Sequence, residues 1–441
     1  MRGFANSRLA IGAALAAGFL SLIPAQAANG WSRAALGTSA PDQTGDASVV
    51  GNSRGDTAVT WPGKNGIQLA IARAGHGFRT PVRVPHSQDG IVPELAINGS
   101  GDVLVFWSYD DHTYRAPPYS RDDDCCFGVR LTVLDRYGRF SPVQTLTPKG
   151  HDLLVEAFAF GPGKRIGMTW QEQYSSHAEV GLRGRFSGSD GRLGPDVRLG
   201  PDFDYGVAVG FARGNPRVLI FHDHRPDSHL VERVGRDRRT FGPARLIAAG
   251  LPRSVFIAGD SNERGDEVVA WSRDNQYGDS GPVYAGVRSP GSRLVARRVG
   301  AFGPDYDAPN VAIAPSGAAT VAWEPSNREV VATARLSGGD FPAARSVVHP
   351  RHPNHVRALQ LGVNSHGKAV IAWLEDRITG KPTIVTVFRA ASGQTTVPTR
   401  VAGPAYSLEM AGGTAAIDRI GRATIAWSSG ASVFGSRSSF R

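Results

Sequence analysis

The chain has 441 residues, with 49 basic and 39 acidic side chains, 54 Gly, 29 Pro and 2 Cys. Gly and Pro together make up about a fifth of it, against about 12% in average usage, which excludes a mainly helical protein and fits short strands joined by turns. A hydrophobic content of 41% excludes wholesale disorder, and two adjacent cysteines exclude a disulfide framework or a cysteine-built zinc site.

The chain opens with a targeting pattern. Arg2 and Arg8 form a positive segment, Leu9 to Ile23 is apolar, and Pro24-Ala-Gln-Ala27 supplies an Ala-x-Ala cleavage site. The apolar run is short for a bilayer span, and no later run approaches about 18 apolar residues. The expectation is a signal peptide over 1–27, with a secreted domain over 28–441 that makes no stable membrane insertion. Without Arg2 and Arg8 the chain keeps 47 basic and 39 acidic groups. The basic residues form no single run. That argues against a nucleic-acid partner, while leaving a weak attraction to anionic surfaces or polymers.

From residue 55 onward one motif recurs: Gly, then five or six small and β-branched residues, then Trp. The copies are GDTAVTW to Trp61, GDVLVFW to Trp107, GKRIGMTW to Trp170, GNPRVLIF to Phe221, GDEVVAW to Trp271, GAATVAW to Trp323, GKAVIAW to Trp373 and GRATIAW to Trp427. Each unit holds four strand-like runs. In the fifth these are Ser254 to Ala258, Glu267 to Trp271, Val283 to Val287 and Leu294 to Val299. Strand-length runs separated by Gly, Asp, Asn and Ser imply antiparallel hairpins. Four-stranded units repeated radially make an all-β, single eight-bladed β-propeller of antiparallel blades.

The fourth run carries an aromatic, a small residue and Pro, as in Phe140-Ser-Pro, Phe241-Gly-Pro and Phe341-Pro. Proline fits an outer edge strand, which needs no donor on one side. Trp31-Ser-Arg-Ala-Ala-Leu reads as the same fourth strand, whereas the last unit ends after its third strand, near Ser432 to Phe440. The N-terminal strand therefore completes the last blade and closes the ring, removing two open edges. The closed ring has no architectural need of a partner subunit, and a monomer is the expectation. The repeated Trp reads as the wedge that fills the space between neighbouring twisted sheets.

Loop lengths break the symmetry. The turns between strands 1 and 2, such as Pro315-Ser-Gly317, and between strands 3 and 4, such as Arg136-Tyr-Gly-Arg139, are tight. The 2–3 connections range from Pro62–Gly66 to the long segment 109–126. The 2–3 and 4–1 loops share one face, and insertions gathered there mark the expected binding face. Candidate ligand-binding residues follow the repeated Trp: Asp110, Asp111, Glu172, Asp223, Asp274, Glu324, Glu375 and Asp376. The 4–1 loops add Asp204, Tyr205, Asp305, Tyr306, Asp307, His349, His352 and His355. Converging carboxylates suit a cation, sugar hydroxyls or acid–base work.

In His222-Asp223-His224 the two histidines share a strand face, the spacing that lets both chelate one divalent metal; no cofactor is otherwise identified. Cys125 and Cys126 follow three aspartates in the longest loop, and in an oxidising compartment they form a vicinal disulfide candidate.

The eight Gly…Trp copies resemble exported actinobacterial repeat proteins of unknown function that are expected to be propellers. The resemblance covers the whole chain after the targeting segment and implies architecture alone. Ala416-Ile-Asp418-Arg-Ile-Gly421 to Trp427 is similar on its surface to the Asp-box of sialidase-like propellers. Blade number and Cys125-Cys126 resemble quinoprotein dehydrogenases. Neither likeness assigns a catalytic residue. The leading expectation is a secreted binding protein for an extracellular glycan or other polar ligand. A polysaccharide hydrolase or lyase and a protein-interaction scaffold are the alternatives.

Overall fold

The computed structural model describes residues 31–39, 47–110, 127–146, 151–174, 179–201, 204–222, 228–251, 257–272, 281–303, 309–326, 328–348, 355–376, 382–402, 415–429 and 432–439. Eight four-stranded antiparallel sheets form a ring. The inner strands, in blade order, are Ser48–Gly51, Gly90–Ile97, His151–Phe160, Asp204–Ala212, Ile257–Ser261, Asn310–Ile313, His355–Val363 and Ala415–Ile417. Blade 5 continues outward through Glu267–Ser272, Pro282–Arg288 and Val295–Ala301. Its inner strand thus lies at Ile257–Ser261. Of the expected Ser254 to Ala258 run, residues 254–256 fall outside the described residues.

Blade 8 is built from both ends of the chain. Trp31–Thr38 pairs antiparallel with Ser432–Ser439, and Trp31 lies opposite Ser438. The aromatic-Pro signature needs adjusting by a few residues. Phe140 and Phe241 make isolated bridges to Leu134 and Gly235, and the outer strands begin later, at Gln144 and Arg245. The Pro sits between bridge and strand, where no ladder donor is required.

Each repeated Trp lies on the second strand of its blade and is buried against the preceding blade. Trp107 packs with Ile67 and Leu69 of blade 1. Trp427 packs with Val370, Leu374 and Ile384 of blade 7, and Trp61 with Ala426 and Val433 of blade 8. In blade 4 this position falls one residue before Phe221. There Ile220 faces blade 3, beside Leu182 and Phe186, while Phe221 turns to blade 5 and joins Trp271. Phe221 therefore does not replace the repeated Trp in space. Side-chain alternation along the strand sends neighbouring residues to opposite blades.

Five of the tight 1–2 turns owe their shape to an Asn or Asp at their start: Asn52, Asn98, Asn262, Asn364 and Asp418. Asn52 Oδ1 accepts from the N–H groups of Arg54 and Asp56, and Asp418 Oδ1 does the same for Ile420 and Arg422. The turn glycine has positive φ, +95° at Gly55 and +92° at Gly421, which explains the invariable Gly of the motif. The Asp after Gly ties this turn to the 3–4 turn. Asp102 Oδ1 accepts from the Arg136 N–H, and Asp266 Oδ1 accepts from the Ser289 hydroxyl.

One blade interface departs from apolar packing. Arg217 and Glu232 of blade 4 meet Glu267 and Arg288 of blade 5, and all four side chains are buried. Arg217 Nε donates to Glu232 at 2.7 Å, and Arg288 reaches Glu232 at 2.8 Å and Glu267 at 2.5 Å. Burial alone would raise the Glu232 carboxyl, but hydrogen bonds and charge from Arg288 and Arg217 bring it below its usual range. For Glu267 burial prevails and its pKa is raised.

Candidate functional site

The loop-face end of blade 4 gathers chemistry from three adjacent strands. Asp204 begins the inner strand, His222 ends the second and His229 stands near the start of the third. The ladder registers Asp204 opposite His222 and His222 opposite His229. A buried Asp204 Oδ1 lies 2.5 Å from His222 Nδ1, and the His222 and His229 imidazoles meet tilted by 34° with centroids 4.9 Å apart. Gln171 of blade 3 donates to the Asp204 carbonyl oxygen at 3.1 Å, placing this group in the seam between blades 3 and 4. Tyr205, next in the chain, is exposed and lies near Phe221. A carboxylate on Nδ1 sets the ring's orientation, which suits hydrogen bonding to hydroxyls or proton transfer.

Asp204 and Tyr205 are therefore strand residues, whereas the sequence suggested a 4–1 loop. The ladder captures them because the inner strand of this blade extends to the ring's edge. Blade 7 shows the same: His355 opens its inner strand opposite Asp376, and Arg357 Nε pairs with Asp376 at 2.5 Å. Glu375, one residue earlier, is half-buried. Glu324 follows its Trp by one residue and is buried, whereas Glu375 follows by two. Alternation sends those two offsets to opposite blade faces, so the residues after Trp do not form one ring.

Asp110 and Glu172 lie on second strands, opposite Phe127 and Leu153 respectively. Asp111, Asp223, His224, Asp274, Asp305, Asp307 and Tyr306 lie outside the described residues, as do His349, His352, Cys125, Cys126 and the targeting segment 1–27. Among the described residues no group of three metal-ligating side chains comes together. The metal pairing of His222 with His224 is left resting on sequence spacing, with His222 Nδ1 against Asp204.

A second polar feature has no counterpart in the sequence reading. The central channel encloses about 560 Å³ and extends to the 1–2 turns, where Asn52, Glu263 and Asn364 line it. Glu156 and Asp260 line it from the inner strands of blades 3 and 5. Glu156 is the extra residue of a bulge between Val155 and Ala157, so it leaves the strand's alternation. Burial pushes its carboxyl up to about 7. Burial raises Asp260 to about 6, although the N–H groups of Ile313 and Ser261 hydrogen-bond to it. Glu94 on the inner strand of blade 2 is raised by burial to about 7. The detectable signal was a lone acid inside an apolar run, as in VPELAI and LLVEAFAF.

Among solved structures the chain is similar to the BP39L lectin of Burkholderia pseudomallei. Identity is 12%, the TM-score is 0.50, and the match covers 84% of this chain and all of the lectin. It is also similar to the β-propeller domain of the trilobed protease of Pyrococcus furiosus, at 9% identity and TM-score 0.45, over 82% of this chain and 98% of that domain. An α-L-arabinanase of Penicillium chrysogenum matches at 12% identity and TM-score 0.39, over 77% and 92%. The likeness to the lectin concerns the fold alone. No family model matches the chain, and no curated protein matches it.

Proposed function

We propose that the chain is an exported binding propeller for an extracellular carbohydrate, docked on the loop face over the seam between blades 3 and 4. The observation that carries this reading is the Asp204–His222–His229 array. It is a strand-borne set of polar groups at the rim, facing blade 3, with the exposed ring of Tyr205 on the opposite, blade 5 side of the same sheet. Sugar recognition needs oriented donors and acceptors, which such an array offers. The lectin of similar fold is compatible with such a ligand, and the targeting pattern at 1–27 with export.

The close Asp204–His222 contact supports a second reading, a polysaccharide hydrolase or lyase. A carboxylate-oriented imidazole is equally an acid–base group. One pair of measurements separates the two. Glycan-array binding followed by titration calorimetry on the chain and on His222→Ala tests binding, with loss in the variant expected. Incubation of the same glycans with release of new chain ends measures turnover. Binding without turnover supports the binder, turnover lost in the variant supports the enzyme, and neither supports a protein-interaction scaffold.

A further inference from the structure

The two faces of the ring differ in charge. Eight 1–2 turns (52–56, 98–102, 161–165, 212–215, 262–266, 314–318, 364–368 and 418–422) and seven 3–4 turns (73–79, 135–140, 187–193, 235–241, 289–294, 336–341 and 390–395) end the blades on one side. Together these segments hold 17 Lys and Arg against 9 Asp and Glu. The remainder of residues 28–441 holds 30 of each, so the net positive charge resides on this face. Its acids are also withdrawn from the surface. Asp56, Asp102, Asp135, Asp266 and Asp418 are buried in the turns they organise, leaving Glu263, Asp190, Asp237 and Asp340 exposed. None of the 17 basic residues is buried.

Apolar side chains project on the same face, each beside an arginine. Tyr137 is 68% exposed between Arg136 and Arg139, Ile420 65% between Arg419 and Arg422, and Leu336 56% beside Arg335. They belong to blades 2, 8 and 6, each at or beside a turn tip. A soluble polyanion would answer the charge and leave the three tips wet. A lipid surface answers both, because turn tips around one edge of a ring meet a plane together. Arginine then pairs with headgroup phosphate while the tips enter the interface.

We propose that the turn face is a peripheral docking surface for anionic phospholipid membranes. Docked this way, the ring turns its loop face, with the blade 3–4 seam, away from the bilayer. No helix among the described residues is long and apolar enough to cross a membrane, and this attachment needs none.

The test is co-flotation of the purified chain with vesicles of phosphatidylcholine alone or with about a third phosphatidylglycerol, at low salt and at about 0.5 M salt. Binding to the anionic vesicles alone, released by salt, is expected. Tyr137→Ser/Leu336→Ser/Ile420→Ser should weaken vesicle binding by about tenfold or more while leaving binding to soluble dextran sulfate unchanged. Arg236→Gln/Arg238→Gln/Arg239→Gln should weaken both; its melting temperature and that of the apolar variant should match the parent, since these side chains lie on the surface. Equal binding to neutral vesicles, an apolar triple variant that binds vesicles like the parent, or capture of dextran sulfate or duplex DNA with no vesicle binding would each overturn the proposal.

Discussion

Asn364 and Asp418 join blades 7 and 8 through one buried hydrogen bond, from the Asn364 side-chain amide to the Asp418 carbonyl oxygen at 2.8 Å. Asn52 reaches Asn98 at 3.1 Å in the same way, and Asn262 reaches Ala314 at 3.0 Å. Each of these asparagines shapes its own turn through Oδ1 and clasps the next blade through Nδ2. Replacing Asn364 by Ala removes both functions and leaves buried groups unpaired. The expected cost is about 1–3 kcal/mol, read from denaturant unfolding.

The four-membered charge cluster between blades 4 and 5 predicts strong non-additivity. Arg288→Met alone leaves Glu232 and Glu267 short of positive charge in a buried site, and should destabilise by about 3–5 kcal/mol. Adding Glu267→Leu should recover part of that loss, because the second substitution removes a stranded charge. A double-mutant cycle in urea measures the coupling; additive effects would contradict it.

The inner-strand carboxyls predict a pH dependence with a definite sign. Glu94 and Glu156 stand near 7 and Asp260 near 6 in the folded ring, above their ordinary values of 4.5 and 3.8. Over the interval between ordinary and raised values the folded chain holds protons that the unfolded chain has released. Stability therefore falls as pH rises from about 4 to about 7, by up to about 1.4 kcal/mol per pH unit for each group. Glu156→Gln should flatten this slope in melting temperature against pH, and an unchanged slope would argue against a raised carboxyl there.

At the blade 3–4 seam, Asp204→Asn keeps the shape of the side chain and removes the charge facing His222. If the seam binds carbohydrate, affinity should drop by about 1.5–3 kcal/mol, the scale of a charge-assisted hydrogen bond. The melting temperature should change less than for Trp373→Ala, which empties a buried wedge and should cost about 3–5 kcal/mol. Calorimetry and thermal unfolding on the two variants separate recognition from architecture.

The sequence was most informative where a physical demand repeats. Gly before the second strand, Trp at its far end and Asn or Asp at the turn recur because every blade needs the same left-handed turn and the same wedge. The exchange of strands between the chain ends was legible too, because Trp31–Leu36 carries the outer-strand pattern while the last unit lacks it. Phase was easily misread. Phe221 looks like the repeated Trp, yet Ile220 packs at that interface, at the six-residue offset from Gly214 that Trp61, Trp107 and Trp271 keep from their own glycines. Nor could it show that Asp204 meets His222, since 18 residues separate them and the ladder alone brings them level. The Arg217–Glu232–Glu267–Arg288 cluster was hidden for the same reason: each member is an ordinary charged residue until two blades press together.

Closure by the first strand also imposes an order on assembly. The hydroxyl of Ser32 donates to the Arg437 carbonyl oxygen across 405 residues of sequence, so the earliest strand made is the last to find its place. Until then Trp31–Thr38 waits without a partner through the synthesis of seven blades, and Ser432–Ser439 emerges with a bare edge. Contacts this distant slow folding, and a waiting edge invites pairing with another chain. The final seam is thus the kinetic weak point of a ring whose other blades are each built from neighbouring segments.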